Sequence, residues 1–174
     1  MTPFRFEHVY RASSPAAVFA TYFDPIHAAE EDRRAGVASR ELLEMADRPD
    51  ELLRVSCVRP VRQVPAVLRP LVGSDLSYDE TVVWHKKLDR IDYDIRPRVL
   101  SGRIHVVATY QLTQEGAGQV RRVYEGTVTA ELRLIGGRVE RGIIEDIGRS
   151  LEITAACTQE AIDKAARRST RPPA

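Results

Sequence analysis

The sequence predicts an α+β fold in which a curved antiparallel sheet of seven strands wraps around one long C-terminal helix. Three observations carry this. From Arg138 to about Arg168, residues suited to a core recur at Ile143, Ile144, Ile147, Leu151, Ala155, Thr158 and Ile162, the spacing of a helix with one apolar side. Upstream, most segments alternate apolar and polar residues, as half-buried strands do. Two helix-start signals, Ser14-Pro15 and Asp24-Pro25, stand between the first alternating segment and the rest.

The elements follow in order. Phe4 to Ala12 alternates, with Phe4, Phe6, His8 and Tyr10 on the apolar face. A short helix, Ala16 to Tyr22, buries Val18, Phe19 and Tyr22; a second, Ile26 to Arg34, is closed by Gly36. Val37 to Met45 and Leu52 to Val58 read as a hairpin across Asp47-Arg48-Pro49-Asp50. Pro60, Pro65 and Pro70 exclude a central strand from Pro60 to Gly73, whose apolar residues suit a flap over one end of the sheet. Four strands come next, Leu76 to Lys86, Arg90 to Pro97, Arg103 to Leu112 and Val120 to Ile135, before Gly136-Gly137 breaks the last of them. The long helix would run about 45 Å at 1.5 Å per residue.

A chain of 174 residues suits one domain, expected over residues 1–168 with a fraying tail at 169–174. With 26 basic against 25 acidic residues, no global field favours nucleic acid or anionic lipid, and no nucleic-acid partner is expected. No stretch reaches the apolar length of a membrane span and Met1 to Arg5 lacks a signal-peptide core. A cytoplasmic protein without stable membrane insertion is therefore expected. Cys57 and Cys157 read as two separate buried thiols.

The order of elements is similar to the helix-grip fold of the START-like superfamily, which includes birch-pollen allergens and polyketide cyclases. Phe4-Arg5-Phe6-Glu7-His8 followed by Ser14-Pro15-Ala16-Ala17-Val18-Phe19 resembles its opening strand and first helix. Three further stretches, Gln63 to Arg69, Asp79 to Trp84 and Ile135 to Glu140, resemble a bacterial family of unknown function within it. The resemblance spans nearly the whole chain. It implies a fold and a capacity to bind apolar ligands, and no particular reaction.

Sorted by face, the strands send Tyr10, Tyr78, Tyr93, Tyr110 and Tyr124 inward with Trp84, Phe4 and Phe6. Buried phenols seek partners, so this set fits a partly wet pocket for a mainly apolar ligand; it also fits a filled core with hydroxyls at its rim. Ile147 and Leu151 complete the expected ligand-binding set with Glu80, and Pro65, Leu68 and Leu71 form the expected entrance. His8, Glu80 and less directly Glu41 also sort inward. Buried ionisable groups require partners or neutralisation, and His8 with Glu80 is the one candidate acid/base pair.

Other features read as structural. His27 beside Glu30 and Glu31 lacks a second zinc-helix histidine and suits a solvated face. His85 and His105 sort outward, as do Arg103, Arg121, Arg122, Arg133, Arg138 and Arg141. Gly142 and Gly148 either admit close helix–sheet packing or leave room for a ligand. No nucleophile elbow, dinucleotide loop, metal site or cofactor motif is present. The leading reading is a non-enzymatic carrier or sensor of a lipid, isoprenoid or polyketide-like molecule. The alternatives are a cyclase/aromatase-like or dehydratase-like enzyme using His8 and Glu80, and a protein-interaction module with a solid core. The sequence carries no signal for oligomeric state.

Overall fold

Alternation, caps and turns yield strand β1 (Thr2–Arg11), helices α1 (Pro15–Tyr22) and α2 (Pro25–Ala35), and strands β2 (Val37–Asp47) and β3 (Glu51–Pro60). Strands β4 (Tyr78–His85), β5 (Arg90–Pro97), β6 (Ile104–Gln114) and β7 (Gln119–Ala130) then lead into helix α3 (Gly136–Ser169). The computed structural model describes residues 1–61, 76–100 and 102–169. The expected flap, with Pro65, Leu68 and Leu71, and the expected frayed tail lie outside the described residues, apart from their first residues.

The strands form one antiparallel sheet in the order β1-β7-β6-β5-β4-β3-β2. Register aligns one inner row across six strands: Phe6, Tyr124, Tyr110, Ile91, Trp84 and Leu52 are successive partners. Because side chains alternate strictly along a strand, this row fixes the inner face of the whole sheet. Two register irregularities in the β2–β3 pairing, at Val37/Ser39 and Leu42/Glu44, bend the edge where such bulges increase curvature. At 34 residues, α3 extends about 50 Å, and its main packing partners are β1, β7, α1 and α2.

The short helices start as their sequences require. Ser14 Oγ accepts the Ala17 N–H and Asp24 caps His27 N–H at 2.8 Å, each ahead of a proline. Gly36 ends α2 at φ 75°, a conformation that costs glycine little.

Some boundaries and orientations differ from expectation. The last strand stops at Ala130 rather than Ile135, and α3 begins at Gly136. The chain turns back between them, with Gly136 N–H donating to the Leu132 carbonyl at 2.9 Å. A Cβ at Gly136 would lie 2.4 Å from the Ala130 carbonyl oxygen, so only glycine fits this return. Arg122 is not on the outer surface: it shares the inward phase of Val120 and Tyr124 and is 2% exposed. Glu41 is exposed, aligned with Cys57 on the outer phase of β3. His27 is buried, because the Cys157–Thr158 turn of α3 covers that side of α2.

Candidate functional site

Four expected inward tyrosines, Tyr10, Tyr93, Tyr110 and Tyr124, are buried, while Tyr78 and Trp84 are half-buried on the same face. The sixth, Tyr22 of α1, joins them through a hydroxyl–hydroxyl hydrogen bond to Tyr93. Tyr124 stacks on Phe4 at 5.7 Å between centroids and meets Tyr93 edge-on at 5.6 Å. Trp84 packs against Phe23 at 4.5 Å and Phe19 at 5.1 Å. Burial pushes the phenols of Tyr78, Tyr93, Tyr110 and Tyr124 upward. They therefore stay protonated near neutrality and can donate as well as accept.

Opposite these rings, Ile143, Ile144, Ile147 and Leu151 of α3 pack against the core but stay only partly buried. The reason is positional: the helix lies along β1 and β7, so the inner faces of β3, β4 and β5 are not its main support. Half-buried apolar residues from both sides border this region.

The polar side chains here divide into satisfied and unsatisfied groups. Arg40 of β2 makes a fork to Asp32 of α2, at 2.9 and 3.0 Å, and a second ion pair to Glu80 of β4. Burial opposes charge on Arg40, but Glu80 and Asp32 outweigh it and hold its guanidinium above the usual range. Arg54 and Ser56 follow on the inner phase of β3, and Arg54 lies within electrostatic reach of Tyr22, Glu80 and Tyr93.

His8 serves a different place. Its Nδ1 accepts from Arg122 Nη2, and its Nε2 stands 3.1 Å from Glu152 Oε1 of α3. Burial is the main cause lowering the His8 pKa, with Arg122 adding to it and Glu152 opposing. Arg122 also donates to the Leu151 carbonyl at 3.2 Å and lies over the rings of Tyr10 and Tyr110, at 5.5 and 5.7 Å. The structure does not bring His8 and Glu80 together. Strands β7, β6 and β5 separate theirs, about 19 Å along a sheet with 4.8 Å spacing, and each has its own ionic partner.

The His27 cluster ties α2 to α3: Nε2 lies 3.0 Å from Glu31 and 3.3 Å from Thr158 Oγ1, and Nδ1 is 3.9 Å from Cys157 Sγ. Burial raises the Cys157 thiol pKa, so this thiol is not activated as a nucleophile. Two shallow depressions adjoin Gly126, mostly on the outer face of the sheet, away from the region under α3.

Sequence reading missed Arg40, Arg54 and Ser56, and it buried Tyr22 without joining it to the other tyrosines. For Arg54 and Ser56 a signal existed: they alternate in phase with Leu52 and Val58, both buried.

A seven-stranded antiparallel sheet, two short helices after its first strand and a long C-terminal helix define the helix-grip fold. The chain belongs to the family described as protein of unknown function (DUF2505), whose model matches residues 5–162. Solved structures share the fold. TTHA0849 from Thermus thermophilus superposes with a TM-score of 0.65 at 17% identity, covering 94% of this chain and 99% of its own. The ZhuI aromatase/cyclase from Streptomyces sp. R1128 gives 0.57 at 12%, covering 98% and 96%. A START superfamily protein from Mycobacterium smegmatis gives 0.57 at 12%, covering 94% and 98%. Comparison with curated proteins returns no match. Among the described residues, no helix is long and apolar enough to cross a membrane.

Proposed function

We infer that this protein is a non-enzymatic carrier or sensor that holds a hydrophobic small molecule, of lipid, isoprenoid or polyketide-like character, between sheet and α3. The observation that carries this reading is the partly buried apolar stripe of α3. Ile143, Ile144, Ile147 and Leu151 reach the core without being fully covered, and apolar surface left half-covered inside a fold favours an apolar guest. The guest would contact Tyr10, Tyr78, Trp84, Tyr93, Tyr110 and Tyr124 across from Ile147 and Leu151, with Glu80 at its polar margin. The START-like proteins of similar fold include one titled an aromatase/cyclase, but His8 and Glu80 engage separate partners here, which leaves the enzymatic reading without its acid/base pair.

The test is Nile red binding together with native mass spectrometry after incubation in a total lipid extract. Saturable dye binding, a retained lipid mass, and loss of both in Leu151→Trp with an unchanged fold are expected. Absence of any retained mass and of saturable dye binding by the parent would overturn the reading.

A further inference from the structure

The inner face of β3 holds a cation, Arg54, that forms no ion pair among the described residues, with Glu80 only within electrostatic reach. Leu52, Arg54, Ser56 and Val58 point the same way, opposite Trp84, Val82, Glu80 and Tyr78 of β4. Leu52 and Val58 are buried in the core, which fixes the direction of the two polar residues between them. Ser56 is 1% exposed, yet its Oγ has no hydrogen-bond partner; Arg54 Nε and Trp84 Nε1 are likewise buried and unpartnered.

These groups share a chemistry. A guanidinium and an indole N–H only donate, and a serine hydroxyl donates readily. Register places Trp84 and Glu80 diagonally on either side of Arg54, about 7 Å away at the Cα positions. The nearby carboxylates are committed elsewhere: Arg40 grips both Asp32 and Glu80, and Arg54 forms no ion pair among the described residues. Buried donors left unmade weaken the empty protein, so this row, with Arg54 between Ser56 and Trp84, calls for an acceptor from outside.

Resting on the reading that the grip holds an apolar molecule, we propose that this molecule carries a carboxylate bound by the Arg54 guanidinium. The Ser56 hydroxyl is the neighbouring donor on the same strand face, and Trp84 flanks Arg54 on the other side. Arg54 supplies the planar fork that a carboxylate matches with two parallel hydrogen bonds. A single negative charge suits the place better than a phosphate, because Glu80 lies close enough to repel a doubly charged group. The apolar tail then extends over Tyr93 and Tyr124 towards Ile147 and Leu151. The ligand class is an amphipathic monocarboxylate.

Calorimetric titration with decanoate and with decanol tests this, since the two share a tail and differ in the head group. The parent is expected to bind decanoate at least about tenfold more tightly than decanol, as one charge-assisted hydrogen-bond pair allows. Arg54→Met is expected to erase that preference while keeping decanol affinity within about twofold, and Ser56→Ala to reduce it a few-fold. Should Arg54→Met not fold, Arg54→Lys replaces it, keeping charge but losing the fork, with a partial loss of preference expected. Equal affinities in the parent, or an undiminished preference in the Arg54 variant, would overturn the carboxylate and leave the apolar site standing. Failure of both compounds to bind or to displace Nile red would overturn the two readings together.

Discussion

The two halves of the sheet meet the long helix in opposite ways. Under β1 and β7 the interface is closed. Arg122 links Tyr10 and Tyr110 to His8 and the Leu151 carbonyl, and the Phe6 ring lies against Gly148. Under β3 and β4, Arg54, Ser56 and Trp84 present buried donors that nothing accepts among the described residues. Tyr10 Oη and Arg122 Nε lack partners on the closed side as well, but the Arg122 guanidinium is held by His8, the Leu151 carbonyl and two rings. Arg54, by contrast, forms no ion pair among the described residues, and on our reading that difference separates scaffold from the surface kept for a guest.

The hardest way to break the closed half is at Gly126. A Cβ there would fall 2.1 Å from the Val107 carbonyl oxygen and 2.7 Å from the Ala108 Cα. Both belong to backbone, so neither can rotate away. Gly126→Ala is expected to cost about 3 kcal/mol or more in urea denaturation. A loss below about 1 kcal/mol would show that β6 and β7 are less tightly joined than this contact requires.

Two arginines sharpen the contrast between satisfied and unsatisfied charge. Arg40→Met strands Glu80 and Asp32, and its expected cost is about 2 kcal/mol, below the value for fully buried pairs because Arg40 keeps 25% of its side chain exposed. Arg54→Met strands nothing and removes a buried unpaired donor, so stability should hold or rise slightly. Equal losses at both positions would contradict the assignment of Arg54 to a ligand.

Acid should act on the closed half as well. Glu140 accepts from Thr2 Oγ1 at 2.6 Å and from Ala130 N–H at 2.9 Å, joining α3 to β1 and the end of β7. The Thr2 hydroxyl, then the amino terminus, and the Ala130 N–H hold its carboxyl down at about 2, from an ordinary value of 4.5. Between these values the unfolded chain binds the proton and the folded chain does not. The stabilisation from Glu140 is therefore complete above pH 4.5 and lost as pH falls towards 2. Thermal melts should show the Glu140→Gln variant less stable at about pH 7, with the gap to the parent closing over that interval.

Most of the fold was legible because alternation, caps and turn residues are local and each acts on the chain nearby. The pairs Ser14-Pro15 and Asp24-Pro25 start their helices, and Gly36 ends one, without tertiary help. The site was less legible, for two physical reasons. Arg122 sits in phase with Val120 and Tyr124, but the habit of placing charges outside outweighed the phase; its burial depends on His8 and Leu151, which arrive from elsewhere in the chain. His27 belongs to a strongly polar helix with no apolar stripe to predict burial, and only the approach of Cys157 and Thr158 from α3 encloses it.

The smallest expected effect comes from two glycines of α3 that the sequence presents as equivalent. A Cβ at Gly142 meets nothing within 4 Å, whereas one at Gly148 would stand 2.9 Å from Phe6 Cε1. Helix propensity alone favours alanine over glycine by about 1 kcal/mol. Gly142→Ala should thus gain up to about 1 kcal/mol, while Gly148→Ala should gain nothing or lose slightly, since the Phe6 ring must shift to admit the methyl group. Phe6→Leu made together with Gly148→Ala should recover part of the gain through a coupling that a double-mutant cycle measures. Additive effects would mean that Gly148 does not set how closely α3 approaches β1, and the closed half would need another explanation for its closure.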